Sequence, residues 1–342
     1  MALRFLDGFD HYTTAAAYAY KYTSYSNTLT PSTGRRSGSN AARFGNYGGD
    51  YLLKTLDDQA TWIVGFAYKR DYASNDEKPI LQLRDNTGAV QVALCMHGVD
   101  GLLRLWRGDQ TTLLATSTVA LPTGAWNYIE LKTFINDTTG TMELRVNGVT
   151  VAAYAGDTKY SSTIGTARSI RLSGGVYHSS LYGWIDDLYV CDGTGTNNND
   201  FLGDCRVDTL YPNGVGNSAQ FTPTGSATNW ENVDEIPPDE DTSYNASDTA
   251  GAIDSFAFTD ATILNASVFG VQANILARKD DAGSRTLRAI ARVNGANYEG
   301  SDQSLGDTYL NQQQIWALNP ATSASWTESA VNAAEFGYKV QA

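Results

Sequence analysis

From Thr61 onward, apolar and polar residues alternate with a period of two. In "TWIVGFAYKR", Trp62, Val64, Phe66 and Tyr68 fall on one face, which predicts a strand with an aromatic core side. "ILQLRDNTGAVQVALCM" predicts two strands joined at Asp85–Gly88, a turn built from residues that tolerate positive φ. "LLRLWRG" and "TTLLATSTVAL" follow as shorter strands. In "WNYIELKTFI", Ile129, Leu131, Thr133 and Ile135 share a face; in "TMELRV", Met142, Leu144 and Val146 point inward and Glu143 and Arg145 outward. Asn147–Gly148 then supplies a two-residue hairpin turn of the primed type. With "VTVAAYAG", "SIRLSGG" and "GWIDDLYVCDG" the region holds about ten to twelve short strands and no helix, the pattern of a two-sheet sandwich rather than an α/β fold.

The texture changes after Cys191. "DGTGTNNNDFLGD" (Asp192–Asp204) is rich in Gly and Asn, so a boundary is expected near Gly203, dividing the chain into domains 1–203 and 204–342. In the second region Phe269, Val271, Ala273, Ile275 and Ala277 alternate with polar neighbours, as do Leu287, Ala289, Ala291 and Val293. One short helix is expected near 326–334, with Ser325 as its cap and Glu328 completing a capping box, before a last strand from Glu335 to Val340. The Tyr-rich segment "YTTAAAYAYKYTSYS" near the N-terminus is read as a strand and a loop. The fold class is therefore all-β, a sandwich followed by a second, smaller, mainly-β domain.

Charge narrows the partners. The net charge is −13, which disfavours nucleic acid and anionic lipid, both of which call for clustered Lys and Arg. The three cysteines, Cys95, Cys191 and Cys205, form no CxxC pair and predict free thiols, a Cys191–Cys205 bridge being the alternative. "MALRFLDGFDHY" lacks a basic stretch leading into an apolar one, so no secretory leader is expected, and no run approaches the length of a membrane span.

Candidate chemistry is sparse. The alternation in "GWIDDLYVCDG" forces one of Asp186 and Asp187 onto the apolar face, while adjacency on a strand sends the two to opposite faces and keeps them from sharing one reaction centre. No predicted strand carries a carboxylate pair spaced for glycoside hydrolysis. His11, His97 and His178 lie far apart, with no nucleophile elbow. No enzyme activity is expected. Two readings of the acidic residues stay open. One is a structural carboxylate that accepts backbone N–H or Tyr hydroxyl bonds, which is favoured. The other is a calcium site gathering Asp7, Asp10, Asp186, Asp187 and Asp192, if the first and last strands of the domain pair. No other cofactor is expected.

The order "WNYIELK", turn, "GTMELRVNG", then "IDDLYV" before the domain ends resembles the concanavalin A-like, laminin-G-type jelly-roll sandwich over about residues 1–200. In that family the "IDD" strand lies near the N-terminal strand, here "LRFLDGFD". "DGTG…NDFLGDCRVDTLYP", "NWENVDEIPPDEDTSY" and "WTESAVNAAEFG" resemble structural proteins of tailed-bacteriophage virions. That resemblance implies a non-enzymatic virion component, made in the host cytoplasm, either a capsid decoration or cement protein or part of a tail or fibre. Its partners would be capsid or tail proteins and further copies of itself. The alternative from a different class is a carbohydrate-binding, lectin-like module that recognises a host surface glycan.

Overall fold

The computed structural model describes residues 2–45, 49–71, 73, 76–175, 180–262 and 267–341. The chain divides into two compact units, Met1–Val207 and Asp208–Ala342. The described residues hold no helix long and apolar enough to cross a membrane.

Among the described residues the first unit contains fifteen strands. They are β1 (Leu3–Asp7), β2 (Ser24–Tyr25), β3 (Thr30–Thr33), β4 (Asn40–Phe44), β5 (Tyr51–Gln59), β6 (Thr61–Arg70), β7 (Glu77–Arg84) and β8 (Val90–His97). Then come β9 (Leu102–Arg107), β10 (Thr112–Ala120), β11 (Asn127–Phe134), β12 (Gly140–Val146), β13 (Val149–Gly156), β14 (Ala167–Ser173) and β15 (Gly183–Asp192). One sheet runs β13-β12-β11-β6-β15-β4-β3, with β1 also beside β15; the other runs β10-β9-β8-β7-β14-β5-β2. Every pairing is antiparallel. This is the expected jelly-roll sandwich, and its core holds the predicted inward faces: Trp62, Val64, Phe66 and Tyr68 from β6, Ile129 and Leu131 from β11, and Met142, Leu144 and Val146 from β12.

Local chemistry sets the turns. Asn147 and Gly148 both adopt positive φ (50° and 79°), as a primed two-residue hairpin requires. Gly65 on β6 is required for a different reason: a Cβ there would lie 2.1 Å from the Tyr189 ring of β15. Tyr189 presses flat across that gap to donate its hydroxyl to Glu130 at 2.5 Å. The Tyr-rich segment departs from expectation. Residues Ala15–Tyr20 form a 3₁₀ helix, not a strand, and the segment carries the chain from β1 in one sheet to β2 in the other.

The second unit is also mainly β. Its largest sheet runs β16 (Pro212–Ala219), β19 (Ile253–Phe258), β25 (Glu335–Val340), β21 (Thr286–Val293) and β22 (Ala296–Glu299), with β23 (Gln303–Ser304) beside β21. Two-strand ribbons pair β17 (Thr222–Thr224) with β18 (Tyr244–Ala246), and β20 (Val271–Ala277) with β24 (Leu310–Trp316). Its core gathers Ala289, Ala291, Val293, Trp316, Trp326, Val331 and Phe336. The helix α1 (Glu328–Asn332) is capped by Thr327, whose hydroxyl accepts the Ala330 N–H at 3.2 Å, and not by Ser325. Thr327 sits immediately before the first helical residue, where an N-cap must be.

Candidate functional site

Strand β15 carries a bulge. Its register against β6 shifts between Asp186 and Tyr189, and Asp187 takes φ +50°. A bulge cancels strand alternation, so Asp186 and Asp187 do not go to opposite faces: both are fully buried, and both serve the turn between β3 and β4. Asp186 accepts the Arg35 N–H at 2.9 Å and the Asp187 N–H at 2.7 Å. Asp187 takes Arg35 Nε at 2.6 Å, both terminal nitrogens of Arg36, and the Val207 N–H at 2.8 Å. Asp10 holds the far end of the same turn through the Asn40 N–H at 2.8 Å. Burial, and next to it the charge of Asp187, push the Asp186 carboxyl upward from its ordinary value.

The first and last strands of the unit do pair, β1 against β15. The remaining two carboxylates nevertheless have separate work. Asp192 receives Arg4 at 3.0 Å and both the N–H and hydroxyl of Thr194. Asp7 is fully buried and collects the Tyr12 and Tyr22 hydroxyls at 2.8 and 2.9 Å, the Phe9 N–H at 3.1 Å and the Lys21 ammonium at 3.2 Å. Burial alone raises the Asp7 carboxyl, but Lys21, His11 and the Tyr12 hydroxyl outweigh it and hold it below the ordinary value. Among the described residues no three His, Cys, Asp or Glu side chains are grouped to hold a metal. All three cysteines are free. Of the histidines, His11 is half-buried with both ring nitrogens inside and, through burial and then Lys21, lowered to about 4, so it is neutral at physiological pH. His97 lies 2.8 Å from Asp100, and His178 lies outside the described residues.

The arrangement with chemical capacity is the outer face of the β10-to-β2 sheet. Register places Trp106, Ala93, Gln82 and Arg171 in one row across β9, β8, β7 and β14. One step along, Arg104 stands opposite Cys95 and Cys95 opposite Pro79, Ser173 stands opposite Tyr51, and Arg84 opposite Ser169. Trp106 packs over Val90, Ala93 and Cys95, so small residues on an outer face are buried. Its indole N–H is fixed on Glu77 at 2.5 Å, and Arg104 binds the other oxygen of that carboxylate at 2.6 Å. Gln82, only 2% exposed, gives its amide N–H to Asp109 at 2.8 Å. That leaves its oxygen to Arg84, at 2.7 and 3.3 Å, and to Arg171 at 3.4 Å. Arg171 also lies over the Tyr51 ring, 4.7 Å from its centre. The alternation marks these residues only as the polar side of three strands. Nothing local in the sequence announces that Arg84 and Arg171 become neighbours.

No family model and no curated protein matches the chain. Solved structures similar to it include alginate lyase Aly36B, at 12% identity and TM-score 0.40 over 54% of this chain and 95% of that one. Domain 4 of AbnA, a GH43 extracellular arabinanase from Geobacillus stearothermophilus in complex with arabinotriose, is similar at 17% identity and TM-score 0.41, over 57% and 94%. Trypanosoma rangeli sialidase is similar at 12% identity and TM-score 0.34, over 44% and 25%. None of these likenesses carries a substrate or a mechanism to this chain. They do correct one expectation. A lyase and a sialidase stand among the matches, so the exclusion of catalysis drawn from missing sequence motifs does not hold.

Proposed function

We propose that the first unit binds carbohydrate on the outer face of its β10-to-β2 sheet. The observation that carries this reading is Trp106, laid over the buried Ala93 and Cys95 and tethered to Glu77 beside Gln82, Arg84, Arg171 and Tyr51. A sugar ring offers an apolar C–H face and a rim of hydroxyls. An indole takes the first, and fixed amide, guanidinium and carboxylate groups take the second. Because Glu77 and Gln82 are already held by hydrogen bonds, little ordering entropy is lost on binding.

The test is a glycan array followed by calorimetry on the intact chain, with Trp106→Ala and Tyr51→Ala as variants. Each substitution is expected to weaken the best ligand about tenfold or more. No detectable binding at millimolar oligosaccharide would sink the reading. The same incubations are read for released reducing ends or unsaturated products, whose appearance adds turnover to binding at this face.

The resemblance of residues 192–342 to virion proteins supports a second reading, in which the chain is a structural part of a tailed-phage particle and the face meets a host glycan. Mass spectrometry of density-banded particles tests it by counting copies against the capsid protein. Absence from the particles removes it.

A further inference from the structure

The arginines of the first unit's outer face are not equivalent. Arg104 is neutralised by Glu77 at 2.6 Å and Asp100 at 3.2 Å, and Arg107 is paired with Asp157. Arg84 and Arg171 differ: among the described residues neither has a carboxylate within ion-pairing distance, and both turn to one neutral oxygen, Gln82 Oε1. That oxygen has two lone pairs for three N–H contacts, so it under-satisfies the guanidiniums it holds together. Asp109, whose charge reaches Arg171, is engaged by the amide N–H of the same glutamine at 2.8 Å. Burial and then the neighbouring Arg84 charge push the Arg171 pKa down, and the Tyr51 and Asp109 charges offset only part of that. In a chain of net charge −13, with acids in excess of bases, two adjoining cations that share a neutral oxygen and make no direct carboxylate contact among the described residues break the ordinary rule of charge pairing. Cross-strand like charges are unfavourable by themselves, and such local conflicts concentrate where a ligand resolves them.

We propose that Arg84 and Arg171 form an anion-recognition point, so that the ligand of this face is an acidic glycan whose carboxylate or sulfate group lies between the two guanidiniums. This inference rests on the carbohydrate reading above and names its substrate class. Planar guanidiniums match the oxygens of a carboxylate or sulfate through paired, charge-assisted N–H···O bonds. Gln82 Oε1 holds the two forks together, and the Tyr51 ring supports Arg171 from one side. Trp106, across the same row from Gln82, then stacks on the ring that bears the acid.

The experiment measures binding of the intact chain to a polyuronate, a sulfated galactan, a neutral arabinan and a neutral β-glucan, at low and moderate salt. Arg84→Gln, Arg171→Gln and Arg171→Lys are the variants, and each protein's melting temperature is recorded with and without sodium sulfate and sodium glucuronate. The expected result is at least about tenfold preference for an acidic glycan, weakened by salt and lost in either Gln variant. The two acidic probes tell carboxylate from sulfate. The Gln variants should melt no lower than the parent, because each removes one of two repelling cations, whereas arginines of purely structural value would melt lower. Arg171→Lys keeps the charge but loses the fork, and should retain part of the affinity. Equal affinity for neutral and acidic glycans, or Arg variants that bind like the parent, overturns the anion point and leaves the carbohydrate reading standing. Sulfate or glucuronate stabilisation that vanishes in the Gln variants, with no glycan bound, keeps the anion point and removes the carbohydrate reading. Neither glycan binding nor anion stabilisation overturns both.

Discussion

Asp186 and Asp187 share burial but not energetics. Asp187 compensates two guanidiniums and a backbone N–H, so Asp187→Ala takes from Arg35 one of its two carboxylate partners, from Arg36 its paired carboxylate contact, and from the Val207 N–H its acceptor. Breaking a buried pair in this way costs about 3–5 kcal/mol, and calorimetry should show a clearly lowered melting temperature. Asp186 accepts only backbone N–H groups, and its folded-state pKa is raised by burial and by Asp187. A raised carboxylate pKa means the folded state holds the proton longer than the unfolded one. The contribution of Asp186 is therefore most favourable below its ordinary value of 3.8 and declines as pH rises through the folded value. Asp186→Asn should flatten that decline, and unchanged slopes of stability against pH between parent and variant would count against the assignment. Asp7 runs the other way. Its pKa is lowered, so its contribution is present above the unfolded value and is lost as pH falls through the folded one. Lys21→Met alone should be strongly destabilising, because it strands the buried Asp7 charge; Asp7→Asn combined with Lys21→Met should recover much of that loss in urea titrations.

Elements with a repeating pattern were legible from sequence, and those set by a single irregular residue were not. Strands β6, β11 and β12 declare themselves because inward apolar positions recur every second residue, and Asn147–Gly148 declares its turn because few residues accept two successive positive φ values. The bulge in β15 had no such signal: adjacent aspartates in an alternating run predict opposite faces, and only the pairing with β6 reveals the shift. The 3₁₀ helix at Ala15–Tyr20 was equally hidden, since Tyr18 packs inward against Tyr12 and Tyr22, which flank the helix and bond Asp7, rather than by any period. The same limit explains the candidate site. Gln82 and Arg84 show as the polar side of one strand and Arg171 as that of another, and non-local register alone joins them. Register also sets the tolerance of β6. Gly65→Ala drives a methyl group into the Tyr189 ring, and overpacking of this kind costs about 1–3 kcal/mol. The variant should melt lower, and Gly65→Ala with Tyr189→Phe, which frees the ring from Glu130, should not restore the parent's stability, because the ring itself is the obstacle.

At the scale of the whole molecule, the two units divide the work of folding before any division of function is considered. The first has one large core that draws side chains from both of its sheets, closed at one side by the crossover segment that Asp7 anchors. The second gathers its own apolar cluster around Trp316, Trp326 and Phe336. The carboxylates that pin the β3–β4 turn take their last partner from Val207, at the end of the first unit, so the boundary of that unit is fixed by a specific bond to Asp187 and not by composition alone. A fragment of residues 1–203 deletes that bond together with the Asp204–Arg35 pair, whereas residues 1–207 keep both. Residues 1–207 expressed alone should therefore unfold in one cooperative transition, and should bind whatever glycan the full chain binds with the same affinity within about twofold. The 1–203 fragment should melt measurably lower, since a buried acceptor loses an N–H partner worth about 1.5–3 kcal/mol when charge-assisted. Equal melting of the two fragments would remove Val207 from the account of the boundary. Loss of binding in a well-folded 1–207 fragment would mean that the face on the β10-to-β2 sheet is not sufficient for recognition.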